Sequence, residues 1–486
     1  MGRFLNARAV AAGPGPVSAL DPRIQPQNLG SQPAGSATVA EAAPAVQYPV
    51  RTSPVTIIGL YALCIYLVGG FATDLSYRFL GTKPYVTFVS GIIVFICFIV
   101  SGQAMAALRT TVGKLWLALG IWMCFSVVFS RWRGGSFDIM QAYIPKQHMV
   151  LFYIAAFALT IKQCRTLLRG CILGGAVLLL TCFFFGGPEQ VSGRFAIETN
   201  IYLSNPNDLA MQLVLCFGFF TFLTRQPGWF GRCIGIAGIL GACYYLLATG
   251  SRGGMLAGAV LAALCLFFSQ HRVRVLVLAL PVALALVAVM PDETMRRLSL
   301  IFTTQTPKAA TDAEESKAID SELERQHLLI ESIKYAIKNP LFGLGPGRFP
   351  DAIWEDAKKE GRHEASLGTH NTYTQIASEC GIPALIMFVG AIFLTIRSGL
   401  RLYRATAKDP DQRLVSAIAF TCFATSIAFA IDLIFHHMAY SGNMAMVLGL
   451  WVATDLAARH AGINTDRAPG RDGQLSVTAE RIRLFR

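Results

Sequence analysis

The chain has 486 residues, 53% of them hydrophobic and 15% charged, where a soluble domain carries about 25% charged residues. The apolar residues gather in runs instead of alternating, which excludes a soluble enzyme and a barrel of transmembrane strands. The formal charge of +13 comes without an aromatic-interleaved basic patch, so it reads as topology-setting loops and not as a nucleic-acid surface.

Residues 1–50 are rich in Ala, Pro, Gly and Gln, show no periodicity, and are predicted as a disordered cytoplasmic tail. Gly13-Pro14-Gly15-Pro16 stands where a signal peptide needs an apolar core, so none is expected. Apolar runs long enough to cross about 30 Å of hydrocarbon as helices follow. Nine fall within 51–290, at 55–73, 84–101, 113–130, 148–162, 168–186, 207–224, 231–249, 253–269 and 273–290. Three fall within 374–458, at 374–397, 414–435 and 441–458. The expected fold is therefore an all-α polytopic membrane protein with about twelve transmembrane helices.

An even number of spans puts both termini on one side. With that side cytoplasmic, the inner loops carry fourteen Lys and Arg and the short outer loops seven, the bias that the positive-inside rule requires. The segment 291–373 then becomes a large, partly helical periplasmic loop between helices 9 and 10, and 459–486 a cytoplasmic tail. Most of the twelve cysteines lie in apolar runs and the loop has none, which argues against a disulfide framework or a Cys-based zinc site there. Within the loop, Ile319, Leu323, Ile330, Ile333 and Ile337 recur at helical spacing. Asn339-Pro340 ends that helix, Gly343, Gly345, Pro346 and Gly347 form a tight turn, and a second short helix is expected at 350–360.

The orientation brings three Arg-bearing segments to one face. Arg194 lies between two spans, and Arg252 follows Gly250-Ser251 at a span lip. A guanidinium fork suits a diphosphate, because it binds bidentately and keeps its charge; at a helix end it also suits lipid headgroups. Arg325 sits within the loop helix, where a salt bridge with Glu322 or Glu331 would explain it, and Arg348 follows the glycine turn. His370 and Asn371 stand where the chain returns to the membrane. A neutral imidazole with an ordinary pKa near 6.5 suits proton abstraction from a hydroxyl, and an N-terminal cap is the plainer use. Glu379 reads as an intramembrane carboxylate two turns into span 374–397, facing a cavity or paired with an Arg. Ser204-Asn205-Pro206-Asn207-Asp208 reads as a helix cap. Asp432 and His436 are one turn apart on a metal-ligand spacing, but one helix supplies both, so no metal is assigned.

The ordered set Gly193-Arg194-Phe195, Ser204-Asn205-Pro206-Asn207-Asp208, Thr249-Gly250-Ser251-Arg252-Gly253-Gly254, Arg325, Asn339-Pro340-Leu341-Phe342-Gly343-Leu344-Gly345-Pro346-Gly347-Arg348-Phe349, His370-Asn371-Thr372-Tyr373 and Glu379-Cys380-Gly381-Ile382-Pro383 resembles the O-antigen ligase and polymerase superfamily of bacterial membrane glycosyltransferases. The resemblance covers about 190–390. It implies a GT-C-like fold in the inner membrane and transfer, without cofactor or metal, of a glycan from undecaprenyl diphosphate. The acceptor would be a second lipid-linked glycan in a polymerase, or lipid A-core in a ligase; membrane lipids are the remaining partners. Arg194, Arg252, Arg325, Arg348, Asn371 and Glu379 are then the expected substrate-binding residues, and His370 the expected base. A surface-polysaccharide polymerase is slightly favoured over a ligase. A secondary transporter is the alternative from another class, though it predicts midplane sites and inverted repeats that the sequence does not display.

Overall fold

The computed structural model describes residues 53–71, 85–188, 194–197, 205–288, 313–361 and 366–463. The predicted tail 1–50, most of the predicted tail 459–486, and the loop positions 291–312 lie outside them.

The described chain is helical apart from a two-residue antiparallel pair, β1 (Gly187–Pro188) with β2 (Phe195–Ala196). The helices in order are α1 (Pro54–Phe71), α2 (Tyr85–Val100), α3 (Thr111–Val128), α4 (Arg133–Tyr143), α5 (Val150–Phe157), α6 (Ile161–Phe185), α7 (Pro206–Thr224), α8 (Trp229–Ala248), α9 (Arg252–Phe267) and α10 (Arg272–Ala288). Then come α11 (Ala313–Lys338), α12 (Phe349–Lys359), α13 (Thr372–Cys380), α14 (Ile382–Thr406), α15 (Arg413–Asp432) and α16 (Gly442–His460). Seven of the described helices, α1, α3, α6, α7, α8, α14 and α15, are long and apolar enough to cross a membrane, and α2 and α9 are shorter apolar helices. The protein is a multi-pass membrane protein.

Local chemistry fixes several helix ends. Thr160 and Gln163 form a capping box at α6, each satisfying a backbone N–H that the first turn would leave orphaned. Asn205 caps α7 with Pro206 at its first position, and Ser251 caps α9. Two predicted spans come out differently. The run 148–162 is not one helix. α4 continues through a π turn at Ile144–His148 into α5, which stops after eight residues, because the Thr160 box starts α6. Pro145 lies in that π turn, and its missing N–H favours such a break in the α ladder.

The run 374–397 is also two helices. Gly381 adopts φ +88° between α13 and α14, and Pro383 follows in the first turn of α14. A Cβ on Gly381 would lie 1.9 Å from the Leu341 carbonyl oxygen, so only glycine permits this junction. Glu379 is therefore in the last turn of a nine-residue helix and not inside a membrane span.

α7 and α15 are the most enclosed of the seven long apolar helices; they pack on each other and on α9, while α15 also meets α14 and α16. Gly218 lets α7 approach Thr425, and the hydroxyls of Thr221 and Thr421 lie 3.3 Å apart across the same contact, the small-residue packing that membrane helices use. On the outside, Phe88, Ile92, Phe95, Ile96 and Ile99 are exposed along one face of α2, as a lipid-facing helix requires. α11 and α12 form a satellite core of Leu328, Tyr335, Leu344, Phe349, Ala352 and Ile353.

Candidate functional site

Five segments meet at one end of the bundle. Arg194, half-buried just before β2, donates from Nε to the Thr249 carbonyl at 2.7 Å and from Nη2 to Asn207 Oδ1 at 2.8 Å. It thereby ties the α8–α9 turn to the first turn of α7. Arg252 is the exposed first residue of α9. The glycines after it serve packing: a Cβ on Gly253 would lie 2.6 Å from Phe435, so glycine lets the α15–α16 loop close over this helix end.

That loop carries His436, buried, with Nε2 2.9 Å from the Asn207 carbonyl oxygen and Nδ1 2.9 Å from the Asp432 carbonyl oxygen. Each ring nitrogen thus faces a backbone carbonyl oxygen. The Asp432 carboxyl group, fully buried and with no hydrogen-bond partner for either oxygen, lies 3.5 Å from Nδ1. The metal-ligand spacing of Asp432 and His436 is used instead for this contact, with both imidazole nitrogens turned to backbone carbonyls.

His370 faces the same region. It has φ +50°, the one non-glycine residue with positive φ among those described. Such a backbone costs about 1–3 kcal/mol and persists only where neighbours fix it. Here Asn371 next to it caps α13 through the Tyr373 and Thr374 amides, and the Thr369 hydroxyl donates to the Asn371 carbonyl. The start of α13 is bolted to the α15–α16 loop. Thr372 N–H donates to the Leu433 carbonyl, its hydroxyl donates to the His436 carbonyl at 2.6 Å and accepts from Met438 N–H, and Gln375 accepts from Ala439 N–H. The His370 ring meets the His437 ring edge to face at 4.9 Å.

Burial first, then His437, Arg325 and His436, hold the His370 imidazole down to about 4. It is thus neutral at pH 7, and a weaker base than its ordinary value predicts. Arg325, half-buried on α11, therefore reaches His370 electrostatically, beyond what its helix spacing suggests.

Arg348 and Glu379 do not join this cluster. About 13 Å of helix axis separates His370 from Glu379, and Glu379 is buried with protein partners. Its carboxylate accepts from Gly347 N–H at 2.9 Å, Phe349 N–H at 3.2 Å and Tyr440 O–H at 2.6 Å. Leu344 and Gly345 N–H donate to the Ser378 and Glu379 carbonyls alongside. Gly343, Gly345 and Gly347 all have positive φ, and a Cβ on Gly345 would stand 2.0 Å from Ser130 Oγ. The glycine turn is therefore a clasp that locks the α11–α12 segment onto α13. Arg348 is buried over the Trp132 ring at 4.8 Å and pairs with Asp351 at 2.7 Å; it packs the clasp against α4. Sequence reasoning missed this division because Glu379 was placed on an unbroken helix. It also missed Asn207 and His436 as members of the cluster, since capping explained the first and a metal spacing drew attention on the second.

A multi-pass membrane protein with a cationic, histidine-rich site at one end of its bundle is the class that the fold defines. Comparison with known proteins narrows it. Residues 236–389 match the family model described as O-Antigen ligase, a stretch that holds Arg252, Arg325, Arg348, His370, Asn371 and Glu379 but not Arg194. The chain is also similar to the Exopolysaccharide production protein ExoQ of Rhizobium meliloti (strain 1021), 23% identical over 322 residues, which are 64% of this chain and 70% of that protein. Both matches bear out the resemblance to the O-antigen ligase and polymerase superfamily.

Proposed function

We propose that this protein is a glycosyltransferase of surface-polysaccharide assembly, moving a glycan from undecaprenyl diphosphate to a sugar hydroxyl at the periplasmic side of the inner membrane. The observation that supports the reading is that His437, Arg325 and His436 act on a neutral His370, while His436 meets the Asn207 that Arg194 binds. In this reading the acceptor hydroxyl oxygen bonds to the anomeric carbon. The bond from that carbon to the phosphate oxygen breaks, and the undecaprenyl diphosphate leaves with the electron pair. Arg252 and Arg325 stabilise the charge that develops on the leaving diphosphate, an effect of the oxyanion-hole type. Arg194 holds the turn that presents Arg252 and adds its own charge. His370 takes the acceptor proton. Its basicity is low while only cationic and imidazole neighbours surround it, and a bound diphosphate raises it, so the base is strengthened once the donor is seated.

A polymerase is the preferred form, supported by the similarity to an exopolysaccharide production protein; the family description as a ligase supports the second form. The test is transfer by the purified full chain from an undecaprenyl-diphosphate oligosaccharide, offered either the same lipid-linked unit or lipid A-core. A ladder of longer lipid-linked products is the polymerase result. Product on lipid A-core alone is the ligase result. Absence of transfer to both, by folded protein, would remove the glycosyltransferase reading.

A further inference from the structure

The opposite end of the bundle holds a second cationic site. An open cavity of about 570 Å³ lies between the end of α9, the start of α10 and the end of α14, lined among others by Phe267, Phe268, Arg272, Tyr403, Arg404 and Lys408. Three of its lining residues are basic and none is acidic. Arg225, half-buried just after α7, stacks on the Phe420 ring at 3.3 Å and faces the Tyr403 ring at 5.8 Å. Among the described residues none of Arg225, Arg272, Arg404 and Lys408 forms an ion pair. Phe268, Tyr403, Phe420 and Phe423 pack edge to face beneath them. The N-terminus of α10, at Arg272, also borders the cavity, and a helix start favours an anion.

A bias of basic residues toward one side of a membrane accounts for the number of charges here. It does not account for a concave site with an aromatic floor, nor for a guanidinium stacked into that floor without a carboxylate. The cavity stands where α9 and α14 end, about 24 Å along α9 from Arg252, which is headgroup depth for a crossing helix. We infer that this cavity binds the phosphate headgroup of an anionic phospholipid, with Arg272, Arg404 and Lys408 as its ligands and the aromatic floor against the glycerol and upper acyl carbons. The site is separate from the proposed transfer site, and the inference does not depend on the activity.

The test uses the full chain in nanodiscs containing both phosphatidylglycerol and phosphatidylcholine, with lipids that remain bound after extraction counted by native mass spectrometry. Wild type is expected to retain phosphatidylglycerol preferentially. The Arg404→Gln/Lys408→Gln pair, on exposed helix-end positions, is expected to lose roughly tenfold or more of that preference. Arg401→Gln/Arg413→Gln removes the same charge from exposed positions that do not line the cavity, and is expected to keep the preference. Equal loss in both pairs would mean diffuse surface attraction and overturn the site, as would retention unaffected by either pair. Displacement of phosphatidylglycerol by millimolar inorganic phosphate in wild type alone would assign the cavity to a soluble phosphate and overturn the lipid.

Discussion

Glu379→Ala tests whether the glycine turn is held by one buried carboxylate. The substitution leaves the Phe349 amide without its acceptor, while the Gly347 amide and the Tyr440 hydroxyl lose the carboxylate but keep their own contact at 3.1 Å. A buried donor left unpaired costs about 1–3 kcal/mol and a weakened hydrogen bond about 1 kcal/mol, so one of the first kind and two of the second cost about 4 kcal/mol. Part of that is offset. Burial outweighs the hydrogen bonds and the nearby Arg348, and pushes the Glu379 carboxyl from 4.5 up to about 7. Removing the acid therefore returns about 3 kcal/mol at pH above 7. The net loosening is about 1 kcal/mol, or roughly fivefold in the local opening constant. Hydrogen exchange on the purified full chain reads this directly, because the amides of Leu344, Gly345, Gly347 and Phe349 all bond across the clasp. Faster exchange confined to 343–349 and the facing end of α13 is the expected result. Unchanged protection of Gly347 and Phe349 in the Ala variant would refute the clasp.

Other consequences follow from the same geometry. Glu379 binds a proton more readily folded than unfolded, so its contribution is full below pH 4.5 and lost as pH rises through about 7. His370, depressed from 6.5 to about 4, acts oppositely, destabilising the fold as pH falls from 6.5 to 4. Between these limits the two slopes offset each other. Relative to wild type, thermal stability of His370→Ala should therefore rise as pH falls from about 6.5 to about 4.5, and that of Glu379→Gln should fall; parallel curves for all three proteins would contradict both assignments. Gly345→Ala puts a Cβ on backbone with φ +103° against Ser130 and should destabilise the clasp by at least as much as Glu379→Ala, read by the same exchange. Arg252→Lys keeps the charge and loses the fork, so transfer should drop by roughly tenfold or more; full activity would exclude bidentate binding at this position.

The helical membrane architecture was legible because length and apolarity suffice to identify crossing helices, and the ends at Asn205 and at Asn339-Pro340 are written in capping and proline chemistry. The two misread runs had the hydropathy of single spans. What divides them is local geometry: the Thr160 capping box in one, and a left-handed Gly381 meeting the Leu341 carbonyl in the other. Hydropathy averages over both. The site was legible in part for a similar reason. Arg252 and His370 carry chemistry that a single residue announces. The roles of Glu379 and His436 depend on partners 30 to 230 positions away, such as the Phe349 amide or the Asn207 carbonyl. No local pattern states those pairings.

The central claim is that His370 takes a proton from the acceptor hydroxyl in a site built to hold a diphosphate. The most direct measurement compares wild type with His370→Ala, at equal folded amounts, in transfer from a purified undecaprenyl-diphosphate oligosaccharide to whichever acceptor wild type uses. A fall of about 10²–10⁴ in rate with donor binding retained is the predicted result. Undiminished transfer by His370→Ala would contradict it.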